Sequence, residues 1–189
     1  MTLSNGKSVR TAIRSVPPPR DLTRAKWRLS VEDWQPAHPY DTTYGAAAAE
    51  TRKTKIELDL DVLKAWPEVP QLQNVSGLGT YSTTVDMPAG WNSANGAMLN
   101  LGEVFDSFTL AVNGRAVSIN QLSAAADIGP YLKSGRNSII VRVATTLNNR
   151  LSKIDESVAN RGLVQPYGLV GPVVFTPYTQ SAVWKIGDK

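Results

Sequence analysis

The sequence predicts an all-β protein, a single antiparallel β-sandwich of jelly-roll type with one short helix. Three observations carry that expectation. The 189 residues are enough for one well-buried core and short for two. Apolar and polar residues alternate with period two in stretch after stretch, the pattern of half-buried strands. Asn113-Gly114 stands between two such stretches, where both turn residues need positive φ and a tight hairpin results. A parallel α/β arrangement would need crossover helices of a dozen residues, and the sequence holds no such segments.

Taken in order, residues 1–20 are polar and basic and end in Pro17-Pro18-Pro19, a stiff extended segment that reads as an arm or linker. The sandwich domain is expected from residue 21 to 189. Trp27, Leu29 and Val31 alternate with polar neighbours as a first strand, followed by a loop from Gln35 to Glu50 rich in Pro, Tyr, Thr and Ala. Asp59 to Trp66 is the expected helix, with Leu60, Leu63 and Trp66 spaced three apart and Pro67 ending it. Strands then follow at Tyr81-Thr83-Val85, Ala97-Leu99-Leu101 and Phe108-Leu110-Val112, with Val117 and Ile119 returning after the Asn-Gly turn. Ile139, Val141 and Val143 line another strand. Val173 and Phe175 mark a late one limited by Pro172 and Pro177, and a last short strand is expected from Ala182 to Ile186.

Charge narrows the function. The net charge is +4, yet residues 1–30 hold seven basic side chains against Asp21 alone, leaving 13 basic and 15 acidic residues in the other 159. The body of the domain is therefore slightly acidic, which argues against a nucleic-acid surface. No apolar run approaches the ~20 residues of a membrane helix. With no cysteine, disulfides and thiolate metal sites are excluded. Sandwich loops can supply oxygen ligands, which leaves room for a structural calcium ion, and no other cofactor is expected. Residues 1–19 lack the apolar middle of a signal peptide. The expected location is extracellular, with the signal outside this segment, and Asn74-Val75-Ser76 is a sequon that a secretory route would expose to glycosylation.

Catalytic chemistry has few bearers here. His38 is the single histidine, and no nucleophile on a strained Gly-x-Ser-x-Gly turn accompanies it. Asp59 and Asp61 read as residues favouring the start of the expected helix. Glu103 and Asp106 read as turn residues. Aromatic rings offer another route, since an exposed indole stacks on a sugar through its apolar face. Trp34, Trp66 and Trp91 lie in or beside loops, where each serves either as a lid on the core or as such a platform. Asn148-Asn149-Arg150 follows a strand and has donors for sugar hydroxyls, although Arg150 serves equally to fix its loop through backbone carbonyls.

The order of these pieces resembles the galactose-binding-like jelly roll that is an ancillary domain of glycoside hydrolase family 2 and, more closely, of family 106 α-L-rhamnosidase-like proteins at their C-terminal end. The resembling stretches are Leu63-Lys64-Ala65-Trp66, Ser76-Gly77-Leu78-Gly79-Thr80-Tyr81, Leu101-Gly102-Glu103-Val104 and Val112-Asn113-Gly114. They continue through Leu132 to Val141, Thr145 to Leu151, and Tyr167-Gly168-Leu169-Val170-Gly171-Pro172-Val173, covering about residues 26–178. In such enzymes the catalytic glutamates belong to a separate barrel, and this sequence has no βα repeat to form one. The resemblance thus implies a noncatalytic carbohydrate-binding or accessory module whose partners are a glycan and the catalytic domain of a parent glycosidase. The residues expected to touch sugar are Trp91, Asn148, Asn149, Arg150 and Tyr167. Two other readings stand beside it: a structural interaction domain without ligand, and a small β-sandwich glycosidase or lyase using paired carboxylates.

Overall fold

A computed structural model describes Gly6 and residues 16–36, 51–162 and 164–180. Its strands are β1 (Arg20–Asp21), β2 (Trp27–Pro36), β3 (Thr51–Leu60), β4 (Gly77–Met87), β5 (Asn95–Asn100) and β6 (Glu103–Phe105). These are followed by β7 (Ser107–Val112), β8 (Arg115–Val117), β9 (Ala125–Asp127), β10 (Gly135–Ala144), β11 (Gly168–Gly171) and β12 (Val174–Thr179). Two short helices, α1 (Asn148–Ile154) and α2 (Glu156–Ala159), lie between β10 and β11. A six-stranded sheet runs β3-β2-β4-β10-β7-β8, a four-stranded sheet runs β1-β12-β5-β9, and β11 pairs with β6. Every pairing is antiparallel. The all-β jelly-roll sandwich is thus the fold.

Period-two alternation sorts the side chains. From the six-stranded sheet, Trp27, Leu29, Val31, Tyr81, Val85, Ile139, Val141, Val143, Leu110 and Val112 are buried. The four-stranded sheet contributes Ala97, Leu99, Ala126 and Phe175 to the same core. Trp66 is fully buried. Its indole N–H donates to the Tyr81 hydroxyl at 2.6 Å, and its ring meets Tyr167 edge-on at 6.3 Å between centroids. Two glycines make the room: a Cβ at Gly79 would stand 2.5 Å from the Trp66 ring, and one at Gly168, whose φ is +100°, would stand 2.6 Å from the indole nitrogen.

The expected helix over residues 59–66 does not form. Asp59 and Leu60 instead end β3, opposite Arg28 and Trp27, and only Trp66–Glu68 coils, as a 3-10 turn with Pro67 inside it. Ile56, Leu58 and Leu60 show the alternation that identifies β3, so the three-residue spacing of Leu60, Leu63 and Trp66 was the weaker signal. Asp59 accordingly sits on an exposed edge strand and not at a helix start. Pro177 lies within β12 and does not limit it. It faces Ala97, whose carbonyl turns the other way to accept from Ile128 N–H at 2.9 Å, so the missing proline N–H breaks no ladder bond. Ile119 falls beyond β8 and packs on the core as a half-buried residue. Most of the basic arm, His38 and the strand expected at 182–186 lie outside the described residues.

The Asn113-Gly114 turn has the expected positive φ values, 51° and 77°. Buried Asn137 locks it. Its carbonyl oxygen accepts from Asn113 Nδ2 and from Lys133 N–H, both at 2.8 Å, while its amide nitrogen donates to Lys133 O at 2.8 Å and Gly135 O at 2.7 Å. Removing this side chain leaves several buried groups unpaired. Asn137→Ala is expected to lower stability by about 2–4 kcal/mol in urea denaturation, and a loss below about 0.5 kcal/mol would show that the lock is dispensable.

Candidate functional site

Two places bring polar chemistry together. The first is the end of the sandwich where β4 begins. There Gly77 N–H donates to Thr145 Oγ1 at 2.8 Å and Thr145 N–H donates to Gly77 O at 2.9 Å, so the chain leaving β10 is clipped to β4 before it enters α1. Asn149 is buried: its amide donates to Gln165 O at 2.8 Å and accepts from Gln165 N–H at 2.9 Å. The Tyr167 hydroxyl accepts from Asn149 N–H at 3.2 Å and lies 2.6 Å from Thr146 Oγ1. Because Thr146 gives its proton to Gln165 Oε1 at 2.8 Å, the Tyr167 hydroxyl is the donor in that pair.

Arg150 makes an ion pair with Asp33 through Nη2, their side chains being 18% and 3% exposed. Asp33 also accepts from Gln35 Nε2, and Arg150 N–H reaches Ser76 Oγ at 3.3 Å. Among the described residues Arg150 Nε is the buried side-chain polar atom without a hydrogen-bond partner. Arg150 therefore fixes its segment through a carboxylate and not through backbone carbonyls.

Four of the five residues expected to touch sugar, Asn148, Asn149, Arg150 and Tyr167, meet at this end. Asn149, Arg150 and Tyr167 commit their polar atoms largely to seating α1. Asn148 keeps partial exposure. Trp91 is elsewhere: its N–H closes the turn onto Pro88 O at 3.0 Å, beyond the far end of β4, about 33 Å from Gly77 at strand rise. It packs half-buried against the core. Among the described residues no three of His, Cys, Asp and Glu converge as metal ligands.

The sequence reading missed Asp33 and α1. Asp33 continues the inward register of Trp27, Leu29 and Val31, and a carboxylate in an apolar register signals a buried cation. Leu147, Leu151, Ile154 and Val158 recur at helical spacing and would have revealed the helices.

The second place is the outer face of the six-stranded sheet. A groove of about 580 Å³ is lined by Arg28, Asp59, Ser82, Thr84, Ser138 and Ile140 among others. A second, of about 280 Å³, is lined by Ser30, Glu32, Lys53, Lys55, Leu78 and Thr80 among others. Pairing of Arg28 with Ser82 and of Ser30 with Thr80 makes the two grooves neighbours along β2 and β4. Charges here are matched within the face. Lys53 bridges Glu32 at 3.0 Å and Lys55 bridges Glu57 at 2.5 Å. Hydrogen bonds from Lys53, then Trp34, hold the Glu32 carboxyl below its ordinary range. Those from Lys55, then Ser30, do the same for Glu57. Trp34, 37% exposed, stands at one end with Lys53 Nζ 4.5 Å from its ring centroid.

Two outcomes follow from the core side of these sites. Arg150→Ala strands a buried carboxylate and should cost about 3–5 kcal/mol in urea denaturation, with much of the loss recovered in Asp33→Asn/Arg150→Met. Burial pushes the Tyr81 hydroxyl up to about 12 from 10.0. The unfolded chain ionises first, so this group's contribution is complete below pH 10 and stability falls as pH rises from 10 towards 12. Ultraviolet titration should show Tyr81 still protonated near pH 11, and Tyr81→Phe should shrink the high-pH step to the part left by Tyr178, whose hydroxyl is also pushed up to about 12 by desolvation and by Asp127.

Comparison with known proteins agrees with the fold. The profile of the family "Glycosyl hydrolases family 2, sugar binding domain" matches residues 56–159. A rhamnosidase from Novosphingobium sp. PP1Y is similar over 93% of this chain and 16% of its own, with a TM-score of 0.60 and 21% identity. A β-D-glucuronidase from Dictyoglomus thermophilum is similar over 91% of this chain and 29% of its own (TM-score 0.55, 14% identity). A GH2 β-galacturonidase from Eisenbergiella tayi, bound to glycerol, is similar over 90% and 26% (TM-score 0.54, 14% identity). The chain thus spans less than a third of each of these structures. No curated protein matches the sequence. With its β-sandwich and a family match over more than half its length, the chain belongs to the glycosyl hydrolase family 2 sugar-binding domains.

Proposed function

We propose that this chain is a noncatalytic carbohydrate-binding or accessory module of an extracellular glycoside hydrolase with an α-L-rhamnosidase-like parent. The observation that carries the reading is the family match over residues 56–159, joined to a fold that occupies 16% of a rhamnosidase. A module of that kind holds substrate near a catalytic domain and performs no bond cleavage itself. The two carboxylates that line the larger groove, Asp59 and Asp61, are water-exposed and lack the apolar enclosure that a glycosidase's acid requires. They therefore favour binding over hydrolysis. Of the residues expected to touch sugar, Trp91 and Asn148 retain exposed surface in this reading. Asn149, Arg150 and Tyr167 support it by seating α1.

A second reading, packing against the parent's catalytic domain without a ligand, draws on the helical segment. Leu147, Ile154 and Val164 are 45%, 37% and 61% exposed there, an apolar surface that a neighbouring domain would cover. Calorimetric titration separates the two. Oligosaccharides containing rhamnose, galactose or glucuronate should give saturable heat with Kd in about the micromolar to millimolar range. Absence of heat with every one of them would remove the binding role and leave packing.

A further inference from the structure

The six-stranded sheet has an unusual outward surface. On β4 four successive outward positions, Leu78, Thr80, Ser82 and Thr84, carry short uncharged side chains. The flanking strands carry long charged ones: Arg28 and Glu32 on β2, and Lys53, Lys55 and Glu57 on β3. On the other side β10 presents Arg136 and Arg142 around Ser138 and Ile140. Short residues between long ones make a floor between walls, and the two neighbouring grooves of about 580 and 280 Å³ are that trough. From Arg28 to Trp34 it extends about 20 Å at strand rise, with the exposed Trp34 ring closing one end.

The chemistry of the trough selects its occupant. Most wall charges are engaged with one another, Arg28 and Lys55 with Glu57, Lys53 with Glu32 and Arg136 with Asp86, and of the wall residues named Arg142 alone has no ion pair among the described residues, so the face offers little uncompensated charge to a polyanion. The floor offers hydroxyls of Thr80, Thr84 and Ser138 that no hydrogen bond among the described residues uses, beside the aliphatic patches of Leu78 and Ile140. Hydroxyls next to aliphatic carbon match a pyranose, which has hydroxyls at its rim and C–H groups on its faces.

We propose that this trough, and not the loops that carry Trp91 and Asn148, is the glycan site, and that its ligand is a short uncharged oligosaccharide lying along β4. The inference rests on the carbohydrate-binding reading above and adds its place and ligand class. Thr80→Val/Thr84→Val removes two of these floor hydroxyls while preserving strand preference, and circular dichroism establishes that the variant is folded. Neutral rhamnose- or galactose-containing oligosaccharides should bind this variant about tenfold more weakly than the wild type. Ser138→Val should weaken them in the same direction, while Trp91→Ala stays within about twofold. Binding of the neutral ligand should also be insensitive to salt. Undiminished affinity in both floor variants would overturn the location, and binding confined to glucuronate-containing glycans would overturn the ligand class. Failure of every glycan to bind the wild-type chain would instead overturn the binding reading itself, and this inference with it.

Discussion

The burial of Trp66 is the constraint on which the arrangement depends. One indole joins three parts of the chain. It packs over Gly79 on β4, hydrogen-bonds Tyr81 on the same strand, and lies against Gly168 and Tyr167 at the entry to β11. The backbone adds Trp66 N–H to Tyr167 O at 2.9 Å, and the Tyr81 hydroxyl also accepts from Leu169 N–H at 3.1 Å. A buried indole N–H needs an acceptor, and a buried phenol oxygen costs stability unless paired. Each satisfies the other. Deleting so large a core ring typically costs about 3–5 kcal/mol, a large share of a domain's net stability.

From this pin the division of the molecule follows. Tyr81 fixes which face of β4 turns inward, and a one-residue slip would expose the whole apolar row. With Tyr81, Thr83 and Val85 inward, the row Leu78, Thr80, Ser82 and Thr84 must face out. Tyr167, seated by the same indole, carries the hydrogen bonds that hold Asn149 and hence α1. The outer trough and the helical end therefore share one structural cause, although only the trough leaves its polar groups available to a ligand. The helical end uses its polar groups for anchorage: the Arg150 and Asp33 ion pair is nearly enclosed, and such a pair gives positional definition more than net stability.

Much of this was legible in the sequence because alternation is a direct physical consequence of strand geometry. Trp27-Leu29-Val31, Phe108-Leu110-Val112 and Ile139-Val141-Val143 are buried as their period requires, and Asn113-Gly114 turns as its residue types require. β3 was hidden because its outward positions from Lys53 to Asp59 are all charged and its apolar inward ones begin only at Ile56, the profile of an edge strand that avoids association. The misplaced helix arose because Leu63 and Trp66, both buried, reach the core from an irregular crossing, where spacing carries no meaning. Asn149 and Tyr167 were found by their chemistry, but their burial depends on α1 and the Gln165 backbone, which no local pattern encodes. The trough is a property of three paired strands. Its short floor and long walls become visible only once the register of β2, β4 and β10 is known.

In the proposed arrangement the sheet pinned by Trp66 turns a glycan-binding face outward along β4. Amide chemical-shift mapping of the isotope-labelled chain during titration with a neutral rhamnose-containing oligosaccharide tests it most directly. Progressive shifts are expected to cluster on β2, β4 and β10, at Ser30 to Trp34, Leu78 to Thr84 and Ser138 to Ile140. Shifts confined to the turn at Pro88 to Trp91 or to the helical end at Leu147 to Arg150, with the β4 amides unmoved, would contradict it.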